Sequence, residues 1–369
     1  MDRRKFVAAA GLAGTTGLLS ACGSKAGSQN DCGTQVASEH FEWKMVTSWP
    51  RDFPGLGTGA NRLAESIGKL SNGRLKIKVY GGNELVPAFE VFDAVKERTA
   101  EMGHSASYYW KGKVPAAQFF SGIPFGMTAQ ELHGWIYYGG GLELWREAYA
   151  PHGLVPFLTG NSGPQMGGWF NREINSIADI QGLKMRIPGL GGEILNRAGG
   201  TPTNIPGAEL FTALQTGTID AAEWVGPYND LAFGLFRAAK YYYYPGWQEP
   251  GSGLECMINQ AAWESLPEDL QSIVKVACQA AVVDTLSDFT YSNGVALNTL
   301  LDEHGVELRR FPDEVLNQLS AISDEITREL AADTELAGRI YASFQAYTAT
   351  VRPWTAISEK ALLDLRLKI

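Results

Sequence analysis

The sequence predicts an α/β protein of two lobes followed by C-terminal helices, and three observations carry that expectation. The chain has 369 residues with 45% hydrophobic and 19% charged content, an ordinary globular balance on a length that exceeds one comfortable core. Strand-like and helix-like stretches alternate between residues 41 and 158 and begin again as a second set after 159, the pattern of an α/β fold with largely parallel sheets. From about residue 260 to Ile369 nearly everything is helix-compatible.

The first 40 residues stand apart. "DRRKF" places Arg3 and Arg4 before the weakly apolar "VAAAGLAGTTGLLS", which is too short to span a bilayer, a task for about 20 apolar residues. The twin arginines resemble a Tat export signal and "LSAC" a lipobox, in which Cys22 becomes the lipidated first residue; an ordinary Sec leader reads similarly. Residues 1–21 are thus expected to be a signal peptide, and 22–40, rich in Gly, Ser, Asn and Gln, a flexible tether. The expected location is the periplasm.

The first lobe opens with "FEWKMVTSWP" and "RLKIKVYGG" as strands flanking the helical "ANRLAESIGKL", a β-α-β unit. "AFEVFDAVKERTA" (helix), "EMGHSASYY" (strand), "LELWREAYAPHG" (helix) and "LVPFLTGN" (strand) continue it. The second set runs "GLKMRIPG" (strand), "GGEILNRAGG" (helix), "TPTNIP" (strand), "AELFTALQTG" (helix ended by Gly217) and "TIDAAEWVG" (strand). The chain returns through "YYYYPGWQEPGSGLECMINQ". Lobe one is therefore expected over 41–158 plus 251–305, and lobe two over 159–250 plus 306–369 with the C-terminal helices. Gly/Pro-rich junctions near 158–168 and 245–253 are the candidate crossings.

Composition and motifs exclude several function classes. The formal charge is −9 and no Lys/Arg-rich run follows residue 5, so the footprint for nucleic acid is missing. His40, His104, His133, His152 and His304 are scattered, with no HExxH and no GxSxG. "GLGTGA" at 55–60 lacks the spacing and the following acid of a dinucleotide site and reads as a glycine-rich helix start. Cys32, Cys256 and Cys278 are too dispersed for a metal-binding CxxC or a disulfide framework; Cys256 reads as strand core and Cys278 as a buried thiol.

Four segments hold candidate chemistry. Arg186 in "GLKMRIPG" lies between apolar neighbours and needs an anion, because its charge is costly to bury unpaired. That anion is either an internal Asp or Glu, or a ligand carboxylate held through two parallel N–H···O bonds. Gln165 in "GNSGPQMGGWF" can satisfy loop backbone or touch a ligand. Tyr108, Tyr109 and Trp110 in "HSASYYW" can wall a pocket or pack between layers, and composition favours packing. In "TIDAAEWVGPYND", Glu223 beside Trp224 is a catalyst, a ligand contact or the polar end of a strand.

Together "MGGWF", "GLKMRIPG", "TGTIDAAEWVGPYND" and "YYYYPGWQEP" resemble, in this order and spacing, the DctP-type solute-binding proteins of TRAP transporters, most closely the branch that binds 2-oxo and 2-hydroxy carboxylates. The resemblance runs from about Phe41 into the C-terminal helices. It implies a two-lobed periplasmic solute-binding protein with the ligand cleft between the lobes, delivering an organic acid to a cation-coupled membrane permease; it implies no enzyme. On it, Arg186 corresponds to the carboxylate clamp and Gln165 to the amide that meets ligand and cation. Glu223, Trp224 and Glu249 surround a metal ion, Trp224 also covering the ligand, and Tyr108 or Tyr109 closes the apolar side. The sequence departs at "PGWQEP", where Gln248 stands at a position that can carry an aromatic residue.

A charge argument points the same way. Glu223, Glu249 and a ligand carboxylate around one arginine would place three negative charges against one positive in a partly dry site. A Na⁺ or Ca²⁺ ion bridging oxygen donors would relieve that repulsion, and it would favour acids with a second oxygen at chelating distance. The competing expectations are a receptor for a sugar or amino acid and an exported metal-dependent enzyme with Glu223 as base. Some relatives dimerise by exchanging the C-terminal helix, and "RPWTAISEKALLDLRLKI" is long enough for it; a helix packed on its own chain reads identically.

Overall fold

The computed structural model describes residues 39–367, so the expected signal peptide, Cys22 and all but the last two residues of the tether lie outside the described residues. The β-α-β unit is formed by β1 (Phe41–Thr47) and β2 (Leu75–Tyr80), paired in parallel around the helix Leu56–Leu70. That helix buries Leu56, Ala60, Leu63, Ala64 and Ile67, the three-and-four spacing of one apolar face. "GLGTGA" is its start: Gly55 sits at φ 71°, and a Cβ there would come within 2.6 Å of Phe289, so glycine meets both the left-handed backbone and the close approach.

β3 (Met102–Ser105) and β4 (Leu154–Asn161) complete the first lobe's contribution before the chain crosses over. The second set comprises β5 (Gly168–Phe170), β6 (Lys184–Arg186), β7 (Thr201–Thr203), β8 (Ala221–Ala222) and β9 (Tyr241–Tyr244). The chain then returns with β10 (Gly253–Asn259) and crosses a third time to β11 (Glu307–Arg310). One sheet has the order β2-β1-β3-β10-β4 and the other β11-β9-β5-β8-β6-β7.

The sheets are mixed rather than largely parallel. β10 runs antiparallel to β3 and β4, and β5 antiparallel to β8 and β9. Both strands arrive directly from the other sheet, without the crossover helix that would return them to the starting edge. The two crossing segments, 162–167 and 245–252, pair with each other through Ser162 N–H to Ser252 O (3.0 Å), Gln165 N–H to Glu249 O (3.1 Å) and Gly246 N–H to Gln165 O (3.1 Å).

The helix Glu268–Asp302, 35 residues and so about 52 Å long, packs on β4 and on Leu56–Leu70 in one lobe and on the helix Pro227–Phe233 in the other. Cys278 in this helix and Cys256 in β10 are both buried and free.

The C-terminal helices divide between the lobes, unlike the expected assignment of 306–369 to lobe two. Asp313–Ala332 packs on the second lobe's helix Gly189–Arg197, whereas Glu335–Ile357 packs on Ala129–Tyr138 and Gly141–Tyr149 of the first. Phe344 meets Trp135 edge-on at 5.6 Å, and Trp135 Nε1 donates to Ser343 Oγ at 3.1 Å. An apolar stripe says that a helix packs, and only the tertiary structure says on what. Among the described residues no helix is long and apolar enough to cross a membrane.

Candidate functional site

The strand expected over "TIDAAEWVG" is only the two residues of β8. The chain leaves the ladder before Glu223, whose N–H still donates to Arg186 O at 3.0 Å, and turns at Gly226 into the helix Pro227–Phe233. Asp230 in that helix holds the turn. Its carboxylate accepts from Val225 N–H (3.4 Å), Trp169 Nε1 (3.0 Å) and Tyr242 Oη (2.7 Å). Burial pushes its pKa up to about 6, against the pull of those hydrogen bonds.

Arg186 ends β6 with 1% exposure. Its Nη1 donates to the Glu223 carbonyl (2.6 Å) and to Glu223 Oε2 (3.2 Å), its Nη2 to Tyr109 Oη (3.2 Å), and its Nε reaches Ile205 O (3.4 Å). The guanidinium also lies 4.9 Å from the Trp224 ring centroid, a cation–π contact. The internal-anion reading of Arg186 is thus realised, and the anion is the same Glu223 that the resemblance placed beside a metal.

Gln165, Gln248 and Glu249 come from the two crossing segments. Gln165 Nε2 donates to Glu249 Oε2 (2.7 Å) and Ser162 Oγ (3.1 Å), and Gln248 Nε2 donates to Met166 O (2.8 Å). Both amide nitrogens are committed, so what remains is oxygen: Gln165 Oε1, Gln248 Oε1 and Glu223 Oε1 are all buried without a hydrogen-bond partner. Groups of this kind are costly to leave in a dry interior.

The electrostatics match that geometry. Burial lifts the Glu223 carboxyl well above the ordinary range and the Glu249 charge adds to the effect, while Arg186 opposes it. Burial likewise raises Glu249 to about 7, against Ser252, Arg186, Gln165 and Tyr108. Two buried carboxylates therefore face one arginine, and positive charge is short. No group of three or more His, Cys, Asp or Glu that could hold a metal ion occurs among the described residues; the donor set here is two carboxylates and the Gln165 amide oxygen, which suits a hard cation such as Na⁺ or Ca²⁺. Trp224 offers only an N–H from its indole, so a cation could meet this residue only through its backbone.

Lobe one closes the site. Tyr108 and Tyr109 stand on the 3₁₀ turn Ser107–Trp110 after β3, and the run divides in a way composition did not suggest. Tyr109 meets Arg186, and Tyr108 lies beside Glu249, whose charge adds to burial in raising the phenol's pKa. Trp110 packs into the core. Trp49 and Phe53 meet Trp224 edge-on, both at 6.3 Å, and Asn229 Nδ2 donates to Pro54 O at 2.8 Å. The structure thus brings together Gln165, Arg186, Trp224, Tyr108, Tyr109, Glu223 and Glu249. A cavity of about 880 Å³ is lined by Tyr108, Tyr109, Lys111 and Glu193, and by neither Glu223 nor Glu249. Sequence reasoning missed Trp49, Phe53, Ser162 and Ser252, which carry no periodic or motif signal, and treated Gln248 only as a departure.

Glu255 of β10 supports this arrangement from beneath. Its carboxylate accepts from Trp110 Nε1 and from Tyr149 Oη (2.8 Å), tying down the turn that presents both tyrosines. Burial raises it from 4.5 to about 7, opposed by these two bonds. The folded form therefore binds more protons than the unfolded one between those values, and stability falls as pH rises through that window. Glu255→Gln is expected to flatten the decline and to be more stable than the parent at pH 8, by up to about 3 kcal/mol. Urea unfolding at pH 5 and pH 8 measures it, and a variant less stable than the parent at pH 8 would sink the assignment.

The family model of the bacterial extracellular solute-binding proteins, family 7 (DctP), matches residues 45–334. The chain is 44% identical over 301 residues, 82% of its length and 81% of the relative's, to a monocarboxylate 2-oxoacid-binding periplasmic protein of Nostoc sp.. Its structure is similar to that of a TRAP periplasmic solute-binding protein from Pseudoalteromonas atlantica with bound sodium and pyruvate (46% identity, TM-score 0.86, covering 88% of this chain and 99% of that one). It is equally similar to one from Colwellia psychrerythraea with bound calcium and pyruvate (46%, 0.86, 88% and 99%). With the family model spanning both sheets and the cluster between them, the chain belongs to the DctP family of bacterial extracellular solute-binding proteins.

Proposed function

We propose that the protein is the extracytoplasmic receptor of a TRAP transporter, capturing a small 2-oxo or 2-hydroxy monocarboxylate together with a sodium or calcium ion and handing it unchanged to the membrane permease. The observation that carries this reading is the buried pair Glu223 and Glu249, with orphaned oxygens on Glu223 and Gln165, beside the single arginine Arg186. Relatives at 46% identity hold pyruvate with sodium or with calcium.

When bound, the cation supplies the missing positive charge and an attachment point for the acid's second oxygen. Glu223, Glu249 and Gln165 would hold it. Arg186 binds and orients the carboxylate, with the Tyr109 hydroxyl beside its Nη2. Trp224, whose buried Nε1 has no acceptor, covers the ligand, and Tyr108 excludes water on the other side. Contacts across the cleft, Trp224 on Trp49 and Phe53 and Asn229 on Pro54, form as the lobes close by a hinge through 162–167 and 245–252. In this reading the lobes are 41–158 with 251–305 and 159–250 with 306–332, and residues 1–21 export the chain, with Cys22 as the lipid anchor. The helix Glu359–Arg366 leaves Leu362, Leu363 and Leu365 exposed, and two copies would meet there.

Calorimetry on metal-stripped protein tests the proposal. Pyruvate and lactate are expected to bind at least about tenfold more tightly when Na⁺ or Ca²⁺ is present than when neither is, and propionate, which lacks the second oxygen, at least about tenfold more weakly than either acid with the cation present, a difference of about 1.4 kcal/mol. Equal affinity for propionate would remove the chelation argument. A sugar or amino-acid receptor would instead bind its ligand without any cation.

A further inference from the structure

One buried titratable group has no part in the proposed capture of acid and cation. His104 in β3 is 2% exposed, the only fully buried histidine among the described residues, and it pairs with Thr47 of β1 on one side and Cys256 of β10 on the other. Its Nδ1 lies 2.8 Å from Trp49 Nε1. An indole nitrogen can only donate, so Nδ1 must accept, which makes the imidazole neutral with its proton on Nε2. Burial pushes the ring's pKa down to about 4 and keeps it in that form at neutral pH.

This bond acts on the ring of Trp49 and not on its backbone. The Trp49 carbonyl is held separately, accepting from Gly82 N–H at 2.7 Å and from Thr47 Oγ1 at 3.0 Å, and Ser48 N–H donates to the His104 carbonyl at 3.2 Å. What the backbone leaves open is rotation of the indole about its last torsion, whose wells are broad and roughly two-fold. The hydrogen bond selects one of them. In it the indole meets Tyr109 at 6.3 Å and Trp224 edge-on at 6.3 Å, within the range of favourable aromatic pairs. Those two residues are the aromatic contacts of the clamp: Tyr109 Oη accepts from Arg186 Nη2 at 3.2 Å, and the Trp224 ring centroid lies 4.9 Å from the guanidinium. One indole therefore braces an aromatic neighbour of Arg186 from each lobe.

We infer that His104 is a positioning residue for capture of the acid: its Nδ1 lone pair fixes the Trp49 indole against Tyr109 and Trp224, and through them the surroundings of the Arg186 guanidinium. This rests on the proposed carboxylate receptor and adds to it a residue that need touch neither acid nor cation. Because the chain of contacts ends at Arg186 and includes none of the oxygens proposed to hold the cation, releasing Trp49 should weaken the acid and leave the cation.

Two measurements on the full mature chain test it. In protein labelled with heavy nitrogen at its indoles, the Trp49 Nε1–H resonance is assigned by its loss in Trp49→Phe. It is expected to shift in His104→Leu, which removes the acceptor, and to stay near the parent's position in His104→Asn, whose Oδ1 stands close to where Nδ1 stood. Calorimetry with pyruvate at saturating Na⁺ or Ca²⁺ should show His104→Leu and Trp49→Phe each about tenfold weaker than the parent, the scale of one buried hydrogen bond lost, with His104→Asn within about threefold. The double variant should bind no more weakly than either single one, since both remove the same contact. Cation binding measured without acid should match the parent in His104→Leu, a split that general loosening of the fold would not produce. His104→Leu or Trp49→Phe binding pyruvate like the parent would overturn the inference, as would equal loss in His104→Asn and His104→Leu or a parallel loss of cation affinity. Melting temperatures report whether each variant folds, and where His104→Leu does not, Trp49→Phe and His104→Asn decide the matter. A parent chain that binds no pyruvate with either cation would instead remove the underlying receptor reading, with the Trp49 resonance unaffected.

Discussion

Arg186→Lys is expected to weaken pyruvate binding more than 100-fold, a loss of about 3 kcal/mol, while leaving the fold in place. The charge survives the change but the geometry does not. Arg186 spreads its donors over Glu223, Tyr109 and Ile205 at once, and a lysine ammonium is a single point with no planar fork to offer a carboxylate. Truncating one partner of a buried, hydrogen-bonded charge pair costs about 2 to 5 kcal/mol in binding, and the conservative replacement falls within that range. Because a positive charge still faces Glu223, the lysine variant should keep its near-ultraviolet circular dichroism and melt within a few degrees of the parent. Arg186→Ala, which strands Glu223, should lose both binding and stability. Calorimetry at saturating Na⁺ or Ca²⁺ makes the comparison; a lysine variant that binds pyruvate as tightly as the parent would show that the acid is held elsewhere.

Removing the cation is expected to have an effect of similar size, and one that is reciprocal. Stripped protein should bind pyruvate at least about tenfold more weakly, and calcium should tighten pyruvate by the same factor by which pyruvate tightens calcium, since both belong to one coupling free energy. Calcium at about 100 times its dissociation constant should also stabilise the fold by about 2.7 kcal/mol, because its donors come from both crossing segments and from the turn after β8. Two calorimetric titrations, each ligand with and without the other, measure the coupling from both sides. Equal pyruvate affinity with and without cation would mean that Glu223 and Glu249 are balanced by their own protons.

Much of the frame was legible in the sequence. The unit "FEWKMVT…RLKIKVY" reads as β-α-β because its periods switch from two to 3.6 and back, and it folds that way. The glycine-rich start at Gly55 and the buried thiols of Cys256 and Cys278 follow from local pattern in the same way. Strand direction was not legible: β5 and β10 look like any apolar strand, and their antiparallel course depends on which sheet the chain has just left. Nor was the packing of Glu335–Ile357 on the first lobe, since its stripe carries no address. The aromatic run at 107–110 shows the limit well. Tyr108, Tyr109 and Trp110 are all amphipathic aromatics, and one helical-type turn sends two of them to the cluster and the third to Glu255.

By itself the sequence determined the kinds of groups available: one arginine bracketed by apolar residues, two glutamates in Trp-containing turns, and amides in the Gly/Pro-rich crossings. Only the tertiary structure decided which of their atoms are left unsatisfied. Gln165 and Glu249 are 84 positions apart and Arg186 and Glu223 are 37 apart, so whether an amide commits its nitrogen or its oxygen depends on partners that no local window contains. The physical reason is that a hydrogen bond is settled by distance and direction between atoms, and folding sets both. The oxygens of Gln165 and Glu223 are left without partners because the amide nitrogen of Gln165 is committed to Glu249 and Ser162 and Arg186 reaches only the other oxygen of Glu223.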